Sequence, residues 1–231
     1  MIELEGVRFS YADQRLALES VDVAFEAGLT MLVGRNGCGK STLLKVAAGV
    51  ERPDDGQVLI HGTDPWKEEV KARQGLAYVP EQPDLTPYAT VAEIVGLVAR
   101  LRGQPQQAGE RALESVGLGD LHRRSVRELS LGERRRAVLA AAMVGPVTTA
   151  LLDEPLVAMD RNGREGVLAW IDGLAEAGAT VVVVSHDIEP FVPRADAVVG
   201  LAGGRVLHAG PLEGTEAERL ALLERLARST A

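Results

Sequence analysis

The chain is poor in cysteine and in aromatic side chains. Its 231 residues include a single cysteine, Cys38, so no disulfide can form within the chain, and a reducing compartment is expected. Aromatic residues make up 3% of the sequence, and valine, alanine and leucine therefore supply most of its apolar mass. This composition is that of an ordinary globular protein, and the length is sufficient for one large domain or two small ones.

Basic excess, long apolar runs and a signal peptide are also missing. The 25 Lys and Arg residues are outnumbered by 33 Asp and Glu, and a formal net charge of -8 argues against a nucleic-acid-binding surface. No apolar run approaches the roughly 18 residues that span a membrane. The first residues, "MIELEGVRFS", alternate apolar and polar side chains, unlike a signal peptide. We therefore expect no nucleic-acid partner and no membrane span in this chain.

Apolar periodicity predicts an α/β fold with a mainly parallel sheet. Short alternating runs predict strands within residues 1–33, and nearly continuous apolar runs predict strands in "TTALLDEP" and "TVVVVSHD". Strands of the second kind are buried on both faces, as parallel sheets require. The other predicted elements are helices over 40–50, 90–102, 106–116, 130–144 and 215–228, strands within 53–62 and 75–82, the latter broken by Pro80 and Pro83, and a hairpin over 197–210.

A glycine-rich segment joins a predicted strand to a predicted helix. It has the form Gly34-x-x-x-x-Gly39-Lys40-Ser41, in which glycines allow successive backbone N–H groups to point at an anion. We expect Lys40 to reach the β- and γ-phosphates of a nucleotide and the Ser41 hydroxyl to bind Mg²⁺. A simple strand-to-helix turn would explain the glycines but not Lys-Ser, so we interpret the segment as a P-loop. Its predicted nucleotide-contacting residues are Gly34, Arg35, Asn36, Gly37, Cys38, Gly39, Lys40, Ser41 and Thr42.

Two adjacent carboxylates follow a later apolar strand. Asp153 ends the strand in "ALLDEP", where a P-loop protein places its second Mg²⁺ ligand. Glu154 comes next, near the expected γ-phosphate, where it can orient or deprotonate water. In isolation the pair would be a polar strand end, but with a P-loop upstream we favour a metal ligand and a catalytic base.

The stretch "ELSLGERRR" raises a different question. Ser130 and Glu133 form a capping box, which predicts the start of a helix. Gly132 lies in the first turn of that helix, where glycine costs roughly 0.5–1 kcal/mol relative to alanine. A helix cap alone does not explain why a glycine and a hydroxyl stand together at the start of this helix.

These motifs, in this order, resemble those of the ATP-binding cassette (ABC) ATPases over nearly the whole chain. Residues 34–41 resemble the family's P-loop, residues 129–133 its signature LSGGQ, and Asp153-Glu154 its Walker B pair. The resemblance extends to the Q-loop glutamine (Gln82), the D-loop aspartate (Asp160), the switch histidine (His186) and the aromatic that stacks on adenine (Tyr11). It implies one domain over 1–231, a P-loop NTPase core with an N-terminal antiparallel β subdomain and a helical subdomain inserted at about 88–140.

The resemblance also implies residue roles and a second copy of the chain. Two copies are expected to face head to tail, so that Ser130 and Gly132 of one copy close on ATP held by the P-loop of the other; a paralogous subunit is the alternative partner. The implied catalytic residues are Lys40, Glu154 and His186, the implied Mg²⁺ ligands are Ser41, Gln82 and Asp153, and the further implied nucleotide contacts are Tyr11, Gln82 and Asp160. Three departures from the family pattern, Leu131, Glu133 and Val157, leave the rate open.

A family member without membrane spans is expected to be the ATPase subunit of a transporter. The resemblance implies integral membrane subunits on a separate chain and a peripheral position on the cytoplasmic face of the inner or plasma membrane. Residues 83–103 most resemble exporter ATPases, so export is expected. A soluble ABC ATPase of the iron–sulfur assembly, repair or translation type, a P-loop kinase and an inactive scaffold remain as alternatives.

Overall fold

The computed structural model describes residues 1–82 and 84–229, so the strand break predicted at Pro83 lies outside the described residues. The strands are β1 (Ile2–Ser10), β2 (Leu16–Phe25), β3 (Gly28–Val33), β4 (Asp55–Ile60), β5 (Leu76–Val79), β6 (Thr149–Asp153), β7 (Thr180–Val184), β8 (Ala197–Ala202) and β9 (Arg205–Pro211). The α-helices are α1 (Lys40–Ala47), α2 (Glu69–Ala72), α3 (Val91–Leu101), α4 (Gln106–Ser115), α5 (Leu131–Met143), α6 (Arg161–Glu176) and α7 (Glu216–Arg228).

The strands form two sheets. One has the order β2-β1-β4 and is antiparallel, and the other has the order β5-β6-β7-β3-β8-β9 and is parallel except at β9. Every residue of β6 and β7 is buried, as their continuous apolar sequences predict for central parallel strands. The predicted mixed α/β fold, with a mainly parallel sheet and an N-terminal antiparallel sheet, is confirmed.

Helix α1 lies between the two sheets. Leu43, Leu44, Val46 and Ala47 on this helix are buried in one apolar cluster with residues of β1 and β2 and of the parallel sheet. The parallel sheet buries its other face against α3 to α7. Because α1 is enclosed on both sides, the loop that precedes it is held on a rigid base.

Helices α3, α4 and α5 occupy the region predicted to be helical. Arg102, which follows α3, donates hydrogen bonds to the carbonyl oxygens of Val144 (2.6 Å), Leu76 (3.0 Å) and Ala142 (3.1 Å). A single guanidinium therefore joins the end of α3, the end of α5 and strand β5. None of the helices in the described part of the chain is long and apolar enough to cross a bilayer.

Three helices differ from the sequence-based expectations. Helix α2 has only four residues, too few to show apolar periodicity, and was not predicted. Helix α1 ends at Ala47, earlier than predicted, because the backbone turns at Gly49 with a φ of 69°. Helix α6 was not predicted at all, since three glycines interrupt its pattern. One of them, Gly166, packs so closely on α4 that an added Cβ would lie 2.4 Å from the carbonyl oxygen of Ser115. Tertiary packing therefore requires a residue that weakens the local helical signal.

Candidate nucleotide-binding site

A cleft of about 360 Å³ opens at the carboxyl ends of the parallel strands, beside the N-terminus of α1. This edge of an open α/β sheet is where such proteins bind ligands. The sequence-predicted residues that line the cleft are Tyr11, Asn36, Gly37, Gly39, Lys40, Ser41, Thr42, Asp153, Glu154 and His186. Gly34 and Arg35 line an adjoining groove, and Cys38 is buried beside the loop.

The P-loop has the backbone that its glycines predict. Gly37 and Gly39 have φ values of 78° and 110°, which disfavour other residues. A Cβ on Gly39 would also lie 2.7 Å from the carbonyl oxygen of Ala17. The Lys40 ammonium donates hydrogen bonds to the carbonyl oxygens of Gly34 (2.7 Å) and Arg35 (3.1 Å). The loop thus holds a cation at its own centre, where a phosphate would bind.

Tyr11 is fixed at the mouth of the cleft. Its hydroxyl lies 2.7 Å from Oγ1 of Thr42, and the Phe9 ring meets its ring edge to face at a centroid distance of 5.1 Å. The guanidinium of Arg15 lies 5.1 Å from the centre of the same ring, and Arg15 also lines the cleft. The sequence did not identify Arg15, because no motif marks it. Stacking of adenine on Tyr11 stays a prediction.

Asp153 is a buried carboxylate with an unused oxygen. The residue is 3% exposed, and its Oδ2 has no hydrogen-bond partner. Burial raises the pKa of Asp153, while the neighbouring Ser41 hydroxyl acts in the opposite direction. Within residues 1–82 and 84–229 no group of three or more His, Cys, Asp or Glu side chains is arranged to hold a metal. The Ser41 hydroxyl and the Asp153 carboxylate supply oxygen donors that fit Mg²⁺, which is bound through one or two carboxylates together with nucleotide phosphates.

Glu154 is held in a strained backbone conformation beside His186. Its φ is 55°, in the left-handed region that costs a non-glycine residue about 1 kcal/mol or more. The carboxylate accepts hydrogen bonds from the backbone N–H of His186 (2.9 Å) and the Ser185 hydroxyl (3.4 Å), and Nε2 of His186 is 3.7 Å from Oε1. Burial raises the pKa of Glu154 and His186 lowers it. The carboxylate is thus positioned and made more basic by burial.

The predicted Q-loop residue is not at the cleft. Gln82 is exposed and does not line it, whereas the preceding residue, Glu81, does. The prediction that Gln82 contacts metal and nucleotide therefore has no geometric support in this conformation. Glu81 directly precedes the motif match at Gln82, in the loop that follows β5. That position was the only sequence signal for its place at the cleft.

Ser130, Gly132 and Asp160 do not line this cleft. The capping box is confirmed: the Glu133 N–H donates to Oγ of Ser130 (3.3 Å), and the Ser130 N–H donates to the Glu133 carboxylate (2.7 Å). A Cβ on Gly132 would lie 3.0 Å from the carbonyl oxygen of Ala158, so a tight contact within the chain already favours glycine here. Asp160 caps α6 by accepting from the N–H of Gly163 at 2.8 Å.

Comparison with known proteins identifies close relatives of this arrangement. The model of the family described as ABC transporter matches residues 18–157. A putative ABC transporter ATP-binding protein of Pyrococcus abyssi is 33% identical over 219 residues, which cover 92% of this chain and 84% of that protein. An aliphatic sulfonates import ATP-binding protein of Zymomonas mobilis is 36% identical, over 89% of this chain and 83% of its own length.

Some relatives are longer than this chain. An energy-coupling factor transporter ATP-binding protein of Methanospirillum hungatei is 33% identical over 92% of this chain, which spans 56% of that protein. Among solved structures, a dimeric bacterial ABC transporter cassette has a TM-score of 0.82 at 26% identity, covering 93% of this chain and 100% of its own. A dimeric cassette in a post-hydrolysis state, bound to ADP and Pi, gives a TM-score of 0.83 at 25% identity with the same coverage.

Proposed function

Because this chain belongs to the ABC transporter family and is an ATP-binding domain of its ATPases, we propose that it hydrolyses ATP with Mg²⁺ to power transport through membrane subunits on a separate chain. The proposed chemistry rests on one observation, which is that Lys40, Asp153 and Glu154 all line the same cleft. The proposal treats residues 1–231 as one ABC ATPase domain, with a helical subdomain at about 88–140, attached to the cytoplasmic face of a membrane.

Phosphate binding is assigned to the P-loop. Its backbone N–H groups and the N-terminus of α1 supply partial positive charge, which favours an anion. Lys40 is already inside the loop, where it donates to two carbonyl oxygens. On binding, its ammonium exchanges these acceptors for the β- and γ-phosphate oxygens. The Tyr11 ring stacks on adenine in this proposal.

The chemical step is assigned to Glu154 and His186. The Glu154 carboxylate takes a proton from the attacking water while the water oxygen forms a bond to the γ-phosphorus and the bond to the bridging β–γ oxygen breaks. The N–H of His186 holds that carboxylate in place, at 2.9 Å, and the exposed imidazole contacts the γ-phosphate. Ser41 and Asp153 would hold Mg²⁺, which would supply charge neutralisation to the phosphates.

Two copies of the chain act together in this proposal. Two solved structures of dimeric ABC cassettes support this arrangement. They are 25% and 26% identical to this chain, and each covers 93% of it. In the head-to-tail arrangement, the Ser130 hydroxyl and the N-terminus of α5 from one copy bind the γ-phosphate held by the other. Gly132 keeps that approach free of a side chain, and Asp160 lies at the same face. A paralogous subunit is the alternative partner.

The direction of transport is proposed as import. Three relatives, for molybdenum, aliphatic sulfonates and sulfate or thiosulfate, are import ATP-binding proteins of 33%, 36% and 36% identity. The export expected from residues 83–103 has no support among these relatives. A bacterial exporter among the solved structures shares 21% identity and therefore supports only the fold.

Phosphate release measured on three proteins tests the assignment of roles. Wild type should hydrolyse ATP only with Mg²⁺. Glu154→Gln should retain ATP binding and lose about 100-fold or more in rate, because general-base catalysis contributes about 10²–10⁴-fold. Lys40→Ala should lose both ATP binding and ATP hydrolysis. A Glu154→Gln variant that keeps the wild-type rate would refute the base assignment.

Membrane attachment is tested separately in the source cells. The transporter proposal predicts that the tagged chain sediments with membranes and is purified together with an integral membrane protein. A chain found wholly in the soluble fraction, with ATPase activity that needs no membrane component, would contradict the proposal and favour the soluble ABC ATPase class.

A further inference from the structure

The cleft contains a third carboxylate that no motif assigns. Glu81 lines it together with Asp153 and Glu154, whereas its neighbour Gln82 does not. In the described residues, 1–82 and 84–229, the Glu81 side chain forms no ion pair or hydrogen bond. Because Glu81 is exposed and lines the cleft, its charge is free to act on a nucleotide or cation bound there.

Strand register explains how Glu81 reaches this position. Strands β5 and β6 are parallel neighbours, and Val79 pairs with Leu152 at their carboxyl ends. The chain therefore leaves β5 next to Asp153, and Glu81 follows two residues after the last paired residue. Glu81 and Asp153 accordingly line the same cleft.

The unused oxygen of Asp153 indicates what this corner of the cleft binds. Asp153 is 97% buried, being 3% exposed, and its Oδ2 has no partner. An unpaired buried carboxylate oxygen is costly unless a cation completes it. The nearby ammonium of Lys40 is engaged with the carbonyl oxygens of the P-loop. Asp153, Glu81 and Ser41 all line this cleft, and they supply two carboxylates and one hydroxyl, oxygen donors of the kind that Mg²⁺ prefers.

We propose that Glu81, and not Gln82, is the residue after β5 that helps to hold the Mg²⁺ of bound ATP, either directly or through a water molecule. The inference rests on the proposed function and concerns the same site. It changes the chemistry of the site, because a carboxylate replaces a neutral amide and adds one negative charge. The site should therefore bind divalent cations more tightly and depend more strongly on them to offset the repulsion between Glu81 and the phosphates.

Divalent-cation affinity measured without turnover tests this proposal. All variants are made in a Glu154→Gln background and kept in excess over ATP, so that no free ATP chelates the cation, and Mn²⁺ is titrated while its free concentration is followed by electron paramagnetic resonance. Glu81→Gln should weaken Mn²⁺ binding about tenfold, as loss of a ligand or of its supporting shell does. Gln82→Ala, the matched control one residue away, should leave the affinity within about twofold, a change of less than 0.5 kcal/mol.

ATP affinity measured in EDTA, without divalent cations, is the second test of the proposal. Without metal, Glu81→Gln should bind ATP as well as the parent or better, because it removes a negative charge near the phosphates. Unchanged Mn²⁺ affinity in Glu81→Gln, or an equal or larger loss in Gln82→Ala, would overturn the proposal. Failure of every variant, including the parent, to bind ATP with or without metal would instead refute the proposed function. Glu81 is exposed, so the substitution should leave the thermal midpoint unchanged.

Discussion

Asp153→Asn should stabilise the nucleotide-free protein, because it removes a buried charge whose Oδ2 has no hydrogen-bond partner. Asp153 is 3% exposed, and its Oδ2 accepts no hydrogen bond. An unsatisfied buried polar group costs about 1–3 kcal/mol. Asparagine keeps the shape of the side chain but also leaves part of its amide unsatisfied, so we expect a gain of about 1–2 kcal/mol. For a chain of this length, that gain corresponds to an increase of roughly 2–8 °C in the thermal midpoint.

The gain should depend on pH in a defined direction. Burial raises the pKa of Asp153 above its ordinary value of 3.8. Between that value and the raised pKa, the native state binds the proton more tightly than the unfolded state, so wild-type stability falls as pH rises through this window. The difference between variant and wild type should therefore be largest above the raised pKa, and it should disappear as the pH falls toward the ordinary value.

With ATP and Mg²⁺ bound, wild type should be more stable than Asp153→Asn. A ligand present at about 100 times its dissociation constant stabilises the native state by about 2.7 kcal/mol. The variant lacks a carboxylate for the cation and should lose most of the Mg²⁺-dependent part of this gain. Thermal melts with ATP plus EDTA and with ATP plus Mg²⁺ separate the two effects, and Asp120→Asn, at an exposed aspartate, is the control. A variant that is less stable than wild type without nucleotide, or that gains as much from Mg²⁺, would refute the reasoning.

Three further substitutions follow from contacts around the site. Arg164→Gln breaks the ion pair with Asp187, which directly follows His186. Hydrolysis should fall about tenfold with unchanged ATP affinity, because misplaced catalytic groups lose rate, whereas the Arg161→Gln control should hydrolyse ATP as wild type does. Arg102→Met leaves three carbonyl oxygens without their donor, and should cost about 3 kcal/mol in denaturant unfolding. Tyr11→Ala should weaken ATP binding about tenfold through lost stacking, and Tyr11→Phe, which keeps the ring, should bind within about twofold of wild type in equilibrium titrations.

The parts of the fold that depend on local physics were predictable from the sequence. Continuous apolar runs predicted β6 and β7, and the capping box at Ser130 predicted the start of α5. Helix α6 was not predictable in this way. Gly166 weakens its helical pattern but is required where the backbone of α4 comes close, and that proximity is set by tertiary packing.

Some residues of the candidate site could likewise be predicted from the sequence, and others could not. The P-loop is contiguous in sequence, and its chemistry could be recognised from the spacing of Gly34, Lys40 and Ser41. Arg15 and Glu81 reach the cleft only because of where a loop returns and how β5 and β6 are registered. No motif marks Arg15, and the only sequence signal for Glu81 is its position next to the motif match at Gln82, so a structure was needed to find them.

The most direct test of the two-copy account is the solution mass of Glu154→Gln with and without ATP and Mg²⁺. A base-deficient variant should bind ATP and remain closed, so its mass should rise from 24.6 kDa to that of two chains when both are added. Ser130→Arg in the same background should bind ATP and keep the single-chain mass, because its side chain blocks the approach to the partner's phosphate. A Glu154→Gln protein that binds ATP but keeps the single-chain mass, or a Ser130→Arg protein that dimerises equally well, would contradict the account.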